Sequence, residues 1–147
     1  MPSGPKLKPV PLGRESLARL ATCNPVLREL IIAVANGIDQ GDLAYAGIHD
    51  ITVLCGWRGE FDQNKAVADG ASKTPWPRSA HNVTDELGRP RSNAADVAPY
   101  PIPKKPNGDW DEVPFGVLHA YVAGVAHGND IYLFDISWDR PHIQLAT

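Results

Sequence analysis

The chain has 147 residues and a mass of 15.9 kDa, enough for one hydrophobic core and too few for two. Its apolar share of 43% and charged share of 21% are those of an ordinary globular protein and argue against a disordered or fibrous chain. A net charge of −3 and a pI near 5.9, with basic residues scattered apart from Lys104-Lys105 and a small N-terminal group, give no reason to expect a nucleic-acid partner.

No apolar stretch approaches the roughly 20 residues that a membrane-spanning helix needs, so no membrane insertion is expected. The opening Met-Pro-Ser-Gly-Pro-Lys lacks the apolar core of a secretion signal. The expectation is a protein made in the cytoplasm, with any work outside the membrane depending on another route. Cys23 and Cys55 are far apart and form no CxxC, so they are expected to be small buried apolar residues rather than a disulfide or a zinc site of their own.

Residues 1–13 are rich in proline and glycine and read as an extended arm to a single domain over 1–147. A short helix is predicted over Glu15–Ala21. Asn24-Pro25 then supplies a cap and a proline at the first helical position, followed by Leu27, Leu30, Ile31 and Val34 at i, i+3, i+4, i+7, with Gly37 as the end of that helix. Ile51–Cys55 is apolar and β-branched and reads as a buried strand.

Gly56-Trp57-Arg58-Gly59 is read as a turn into a polar helix over Asp62–Asp69, ended by Gly70. Ala71 to Ser92 reads as one long irregular loop, a length that usually serves function. Ala94–Ala98 is predicted as a strand and Pro99–Pro114 as a second loop. Phe115, Leu118, Val122 and Val125 place an amphipathic helix over Phe115–His127, stopped by Gly128. Ile131–Ile136 and His142–Leu145 are predicted as closing strands. The order predicts an α+β fold, a small antiparallel sheet flanked by helices.

Five histidines compete for a chemical role. His119 lies within the late helix, His127 at its C-terminal end where a cation suits the dipole, and His49 ahead of a strand; all three read as structural. His81 instead follows Ser79-Ala80 in the long loop. Asp96 stands among Ala94, Ala95, Val97 and Ala98, a poor place for a charge unless it is paired or binds a metal. His142 closes Asp139-Arg140-Pro141-His142. Two imidazoles, a carboxylate to share a metal with them and a second carboxylate nearby are the inventory of a catalytic zinc site.

These motifs, in this order, resemble the zinc peptidases that cleave bacterial peptidoglycan peptides, the D-Ala-D-Ala carboxypeptidase and Hedgehog-like group that includes phage L-alanyl-D-glutamate endolysins. Leu12–Leu20 with Asn24-Pro25 resembles the opening of the phage enzymes, and Val53–Arg58 with Gln63, Gly70 and Ser72-Lys73 their strand–turn–helix segment. Ser79-Ala80-His81 and Ala95–Pro101 resemble the first two metal-binding motifs, Phe115–Ala126 the late helix, and Asp139–Leu145 the terminal motif.

The resemblance implies Zn2+ held by His81, Asp96 and His142. Asp139 would be general base toward the zinc-bound water and then acid toward the leaving amine. Arg58 would be catalytic or substrate-binding, through an oxyanion or a substrate carboxylate. Ser79 would hydrogen-bond substrate or support a ligand. The partner implied is peptidoglycan, with a monomeric enzyme and a holin-like protein for passage to the wall.

Three features depart from the family's pattern. Fifteen positions separate His81 from Asp96, a wider gap than usual; only eleven separate Gly128 from Asp139; and Gln144 stands where the family has a glutamate. The alternatives are a D,D- or L,D-carboxypeptidase on the same polymer, or a non-catalytic phage structural or binding protein with this fold.

Overall fold

Residues 9–135 and 139–146 are described by the computed structural model. Arg14–Leu20 forms helix α1 and Pro25–Asp39 forms α2. Asn24 caps α2, its side-chain oxygen accepting from the Val26 N–H at 3.0 Å, and Pro25 fills a position whose N–H would have no helical partner. Strand β1 is Ile51–Cys55, helix α3 Glu60–Ala68, strand β2 Ala94–Pro99, helix α4 Glu112–Gly128 and strand β3 His142–Gln144.

The three strands form one antiparallel sheet in the order β1-β2-β3. The fold is α+β, a small antiparallel sheet with helices, as the sequence predicts. Leu27, Leu30, Ile31 and Val34 of α2 join Leu118, Val122 and Ala126 of α4 in a core closed by Ile51 and Val53 of β1, Ala95 and Val97 of β2 and Ile143 of β3. One sheet face is thereby committed to the helices, and residues one position out of phase face the other way. The outer edge of β1 is covered by α1. Ser16 Oγ accepts from the Val53 N–H at 3.0 Å and Arg19 Nη1 donates to the Val53 carbonyl at 2.9 Å.

Several boundaries differ from the sequence reading, each for a physical reason. Helix α2 runs through Gly37 to Asp39, because the missing side chain admits the Tyr121 hydroxyl from α4, which donates to Asp42 Oδ2 at 2.7 Å. Helix α4 begins before Pro114. Asp111 caps it by accepting from Val113 N–H at 3.1 Å, and a proline in the first turn forfeits no helical hydrogen bond. The predicted strand Ile131–Ile136 is not a strand over 131–135, where only a bridge between Leu133 and Leu145 forms; Ile136 lies outside the described residues.

The segment 71–92 is also less irregular than expected. It contains a 3₁₀ turn at Ala80–Asn82 and a small hairpin bridged at Thr84 and Pro90. Of the predicted N-terminal arm, residues 1–8 lie outside the described residues, and Leu12 packs against the core. No helix among the described residues is long and apolar enough to cross a membrane.

Candidate metal centre

Sheet register brings the first elements of the site together. Asp96 on β2 is paired with His142 on β3 and with Cys55 on β1, so all three sit in one row across the sheet. Cross-strand partners project to the same face. Ile143 points into the core, which leaves His142 and Gln144 on the face bearing Asp96.

Cys55 reaches that row through an irregularity in β1. The register shifts between Val53 and Cys55, a bulge that reverses the facing of the residue after it. Without it, Cys55 would follow Ile51 and Val53 into the core. Cys23 is buried, as expected of a small apolar residue, whereas Cys55 is only half-buried with its Sγ 3.9 Å from His81 Nδ1. Both thiols are free.

His81 arrives from the 3₁₀ turn. Ser79 caps this turn, its hydroxyl accepting from His81 N–H at 3.2 Å, while Asn82 Oδ1 accepts from Ser79 N–H at 3.0 Å. The hydroxyl of Ser79 therefore supports a neighbour of the site. The His81 ring is 2% exposed. Its Nδ1 lies 2.7 Å from the Gly56 carbonyl, which can only accept, so Nδ1 carries the proton and Nε2 presents its lone pair.

Nε2 of His81, Oδ1 of Asp96 and Nδ1 of His142 form a small triangle. The separations are 3.5 Å from His81 to Asp96, 3.2 Å from His142 to Asp96 and 3.3 Å between the imidazoles. Ligands on a tetrahedral zinc at ordinary bond lengths stand about 3.3 Å apart. Asp96 Oδ1 is buried and has no hydrogen-bond partner, an arrangement that is costly for a carboxylate oxygen unless a cation satisfies it. The donor set therefore fits a divalent metal.

Cys55, His81 and Asp96 also lie close enough to hold an ion. The Cys55 thiol, however, stands beside Nδ1 of His81, the nitrogen already donating to Gly56. The triangle with His142 is thus the better set, since both of its imidazole nitrogens have lone pairs to give.

His142 and Asp96 are each tied from behind. His142 Nε2 donates to Gln144 Oε1 at 2.9 Å, so the amide performs the task a glutamate would. Arg58 Nη2 donates to Asp96 Oδ2 at 3.3 Å, and Nη1 donates to Gln63 Oε1 at 3.3 Å. Arg58 is thus engaged with a candidate ligand, while the rest of its guanidinium borders the cleft.

The site's main surprise is Gln63, which is fully buried on α3. Its Oε1 also accepts from Asn82 Nδ2 at 3.1 Å, and its Nε2 donates to Ser72 Oγ at 3.1 Å and to the Thr74 carbonyl at 2.6 Å. One amide thereby joins α3, the His81 turn and the segment before it. A glutamine in a polar helix gives no local sign of this; Gln63 stands in the sequence only as one of the residues that carry the family resemblance, with no role attached.

Electrostatics follow from the packing. Burial opposes a charge on His81, but Asp96 and Cys55 together outweigh it and push the metal-free imidazole up to about 9. Burial acts to raise the Asp96 pKa, yet His142 and His81 hold it well below the usual carboxylate range. The triangle lies at a cleft of about 600 Å³ lined by Arg58, Arg78, His81, Asp96, Asp139 and His142. Asp139 is exposed at the cleft wall, and its carbonyl accepts from His142 N–H at 3.0 Å. His49 and His127 are exposed and His119 half-buried, and none of them belongs to the cluster.

The fifteen-position gap between His81 and Asp96 is taken up locally. Arg91 N–H donates to the Val83 carbonyl at 2.9 Å and Asn93 N–H to the Ala80 carbonyl at 3.0 Å, closing the segment at its base. At the tip, Asp85 Oδ1 accepts from the N–H groups of Leu87 and Arg89, and Oδ2 pairs with Arg89 Nε at 2.7 Å.

The fold is shared with a solved bacterial endopeptidase. The chain resembles the crystal structure of the Serratia marcescens L-Ala D-Glu endopeptidase ChiX with a TM-score of 0.61 and 23% sequence identity, over 90% of this chain and 87% of that one. Comparison with protein-family models and with curated proteins gives no match.

Proposed function

We propose that this chain is a zinc-dependent peptidoglycan peptidase that hydrolyses the L-Ala–D-Glu bond of the stem peptide. The observation that carries the reading is the triangle of His81 Nε2, Asp96 Oδ1 and His142 Nδ1, with its orphaned carboxylate oxygen, at a cleft. The shared fold with an L-Ala D-Glu endopeptidase supports the substrate class.

His81, Asp96 and His142 hold the ion in this reading. Zinc, if bound there, would supply Lewis acidity toward a peptide carbonyl and toward the attacking water. Asp139, exposed at the cleft wall, takes a proton from the attacking water and delivers it to the departing amine nitrogen. Arg58 fixes Asp96 through Oδ2, and its remaining N–H groups are available to a substrate oxygen. Ser79 and Gln144 hold the His81 turn and the His142 ring.

The biological setting consistent with the sequence resemblance is phage lysis. The enzyme acts as an endolysin on the wall, as a monomer, after a holin-like partner opens the membrane. Mass spectrometry of muropeptides treated with the zinc-loaded protein tests the reaction. The expected products carry a new D-Glu amino terminus. Release of D-Ala with the L-Ala–D-Glu bond intact would convert the reading to a carboxypeptidase, and intact peptides with stoichiometric zinc would leave a non-catalytic protein.

A further inference from the structure

We infer that Arg140 is a positioning residue that clamps the Asp139 turn onto helix α4, and that Gly116 is the seat of this clamp. Arg140 Nη1 donates to the Glu112 carbonyl in the first turn of α4 at 3.0 Å. One turn further, a Cβ on Gly116 would lie 2.6 Å from Nη1 and 3.1 Å from Cζ of the same guanidinium. A side chain at this position would push the planar group off the helix. Inside a helix alanine is otherwise the more favourable residue.

The clamp bears unequally on its neighbours. His142 is fixed independently by the β2–β3 ladder and by Gln144. Asp139 has no ion pair among the described residues, and its carbonyl is held only within the turn by His142 N–H. Among the described residues, the Pro141 carbonyl accepts from Val97 N–H at 2.8 Å on the sheet side of the turn, and the Arg140 guanidinium ties the turn to the helical layer. The guanidinium therefore governs where the Asp139 carboxylate stands over the cleft while leaving the metal triangle in place. This role rests on the proposed function, in which Asp139 carries the proton.

A double-mutant cycle between Arg140→Ala and Gly116→Ala tests it on the zinc-loaded protein. Arg140→Ala is expected to lower kcat at least about tenfold with KM and zinc stoichiometry unchanged, the signature of a misplaced proton carrier. Gly116→Ala, which displaces only the flexible end of Arg140, is expected to give the same loss and a lower Tm. In the Arg140→Ala background it costs no further activity and raises Tm, because alanine then simply favours the helix. In an Asp139→Ala background, Arg140→Ala adds nothing.

Independent, multiplicative losses of kcat, or a fall in Tm for Gly116→Ala in both backgrounds, would overturn the clamp. If the wild-type protein cleaves no muropeptide, the functional reading falls separately. The sign change in Tm still decides whether Gly116 seats Arg140.

Discussion

His142 and Gln144 stand on the same face of β3, joined by a 2.9 Å hydrogen bond from the imidazole Nε2 to the amide Oε1. This bond selects the tautomer that leaves Nδ1 free toward Asp96 and His81. An acceptor behind a metal-binding histidine typically contributes 10–100-fold in affinity. Gln144→Leu is therefore expected to weaken zinc binding by about that factor, and Gln144→Glu to preserve it. Competition against a chromogenic chelator measures both, and unchanged affinity in Gln144→Leu would remove the orienting role.

The charge balance inside the triangle predicts a pH dependence. In metal-free protein the His81 pKa is raised from 6.5 to about 9. Its contribution to stability is fully present below 6.5 and disappears as pH rises toward 9. Asp96 is shifted downward, so its contribution is present above its ordinary carboxylate pKa and is lost as acid protonates it. A metal must displace the His81 proton, so the gain in Tm on adding zinc is expected to grow from pH 6.5 to 9. Calorimetry with and without chelator checks this, and a gain that shrinks over that window would contradict it.

Gly56 is predicted to be intolerant of a side chain. A Cβ there would collide with the Arg19 carbonyl and lie 2.6 Å from Thr22 Oγ1, while the carbonyl of Gly56 accepts from His81 Nδ1. Gly56→Ala is expected to cost about 1–3 kcal/mol, typical of overpacking, and to lower zinc affinity by shifting the His81 acceptor. Denaturant unfolding and metal titration on the same variant measure the two effects. Full stability together with wild-type zinc affinity would refute the prediction.

Lys73 and Arg78 line the cleft, are exposed, and have no ion-pair partner among the described residues. Under the proposed reaction the leaving fragment begins with D-Glu and bears a carboxylate. Replacing both residues by alanine is expected to raise KM several-fold at low salt with little change in kcat, since exposed charges act by screened attraction. Muropeptides in which that carboxylate is amidated should show a smaller change. An equal rise for both substrates would assign the two cations no part in charge recognition.

The helices and the two longer strands were legible because each carries a local signal. Asn24-Pro25 starts α2, its apolar period marks the buried face, and the β-branched run of 51–55 forms β1. The candidate site was legible as a set of residue types, since a carboxylate among alanines demands a partner. What joins them depends on tertiary facts with no local trace. A one-residue register shift turned Cys55 toward Asp96, and a buried Gln63 tied three segments together. Gly37 read as a stop because a glycine that ends a helix and one that admits a neighbouring hydroxyl are the same letter. The segment 131–135 has apolar alternation but only one bridge partner, too little to make a strand.

The hairpin between His81 and Asp96 is closed at its base by the Asn93–Ala80 bond and turns outward through Gly88, whose φ of 77° suits a tight reversal. Beyond the Arg91–Val83 bond, the polar contacts of the tip close on the tip itself, through Asp85, Leu87, Gly88 and Arg89. A change of length confined to residues 84–90 is therefore expected to leave the His81–Asp96–His142 triangle as it stands. The tip is thus an adaptable port in the scaffold, open to alteration apart from the residues that line the cleft.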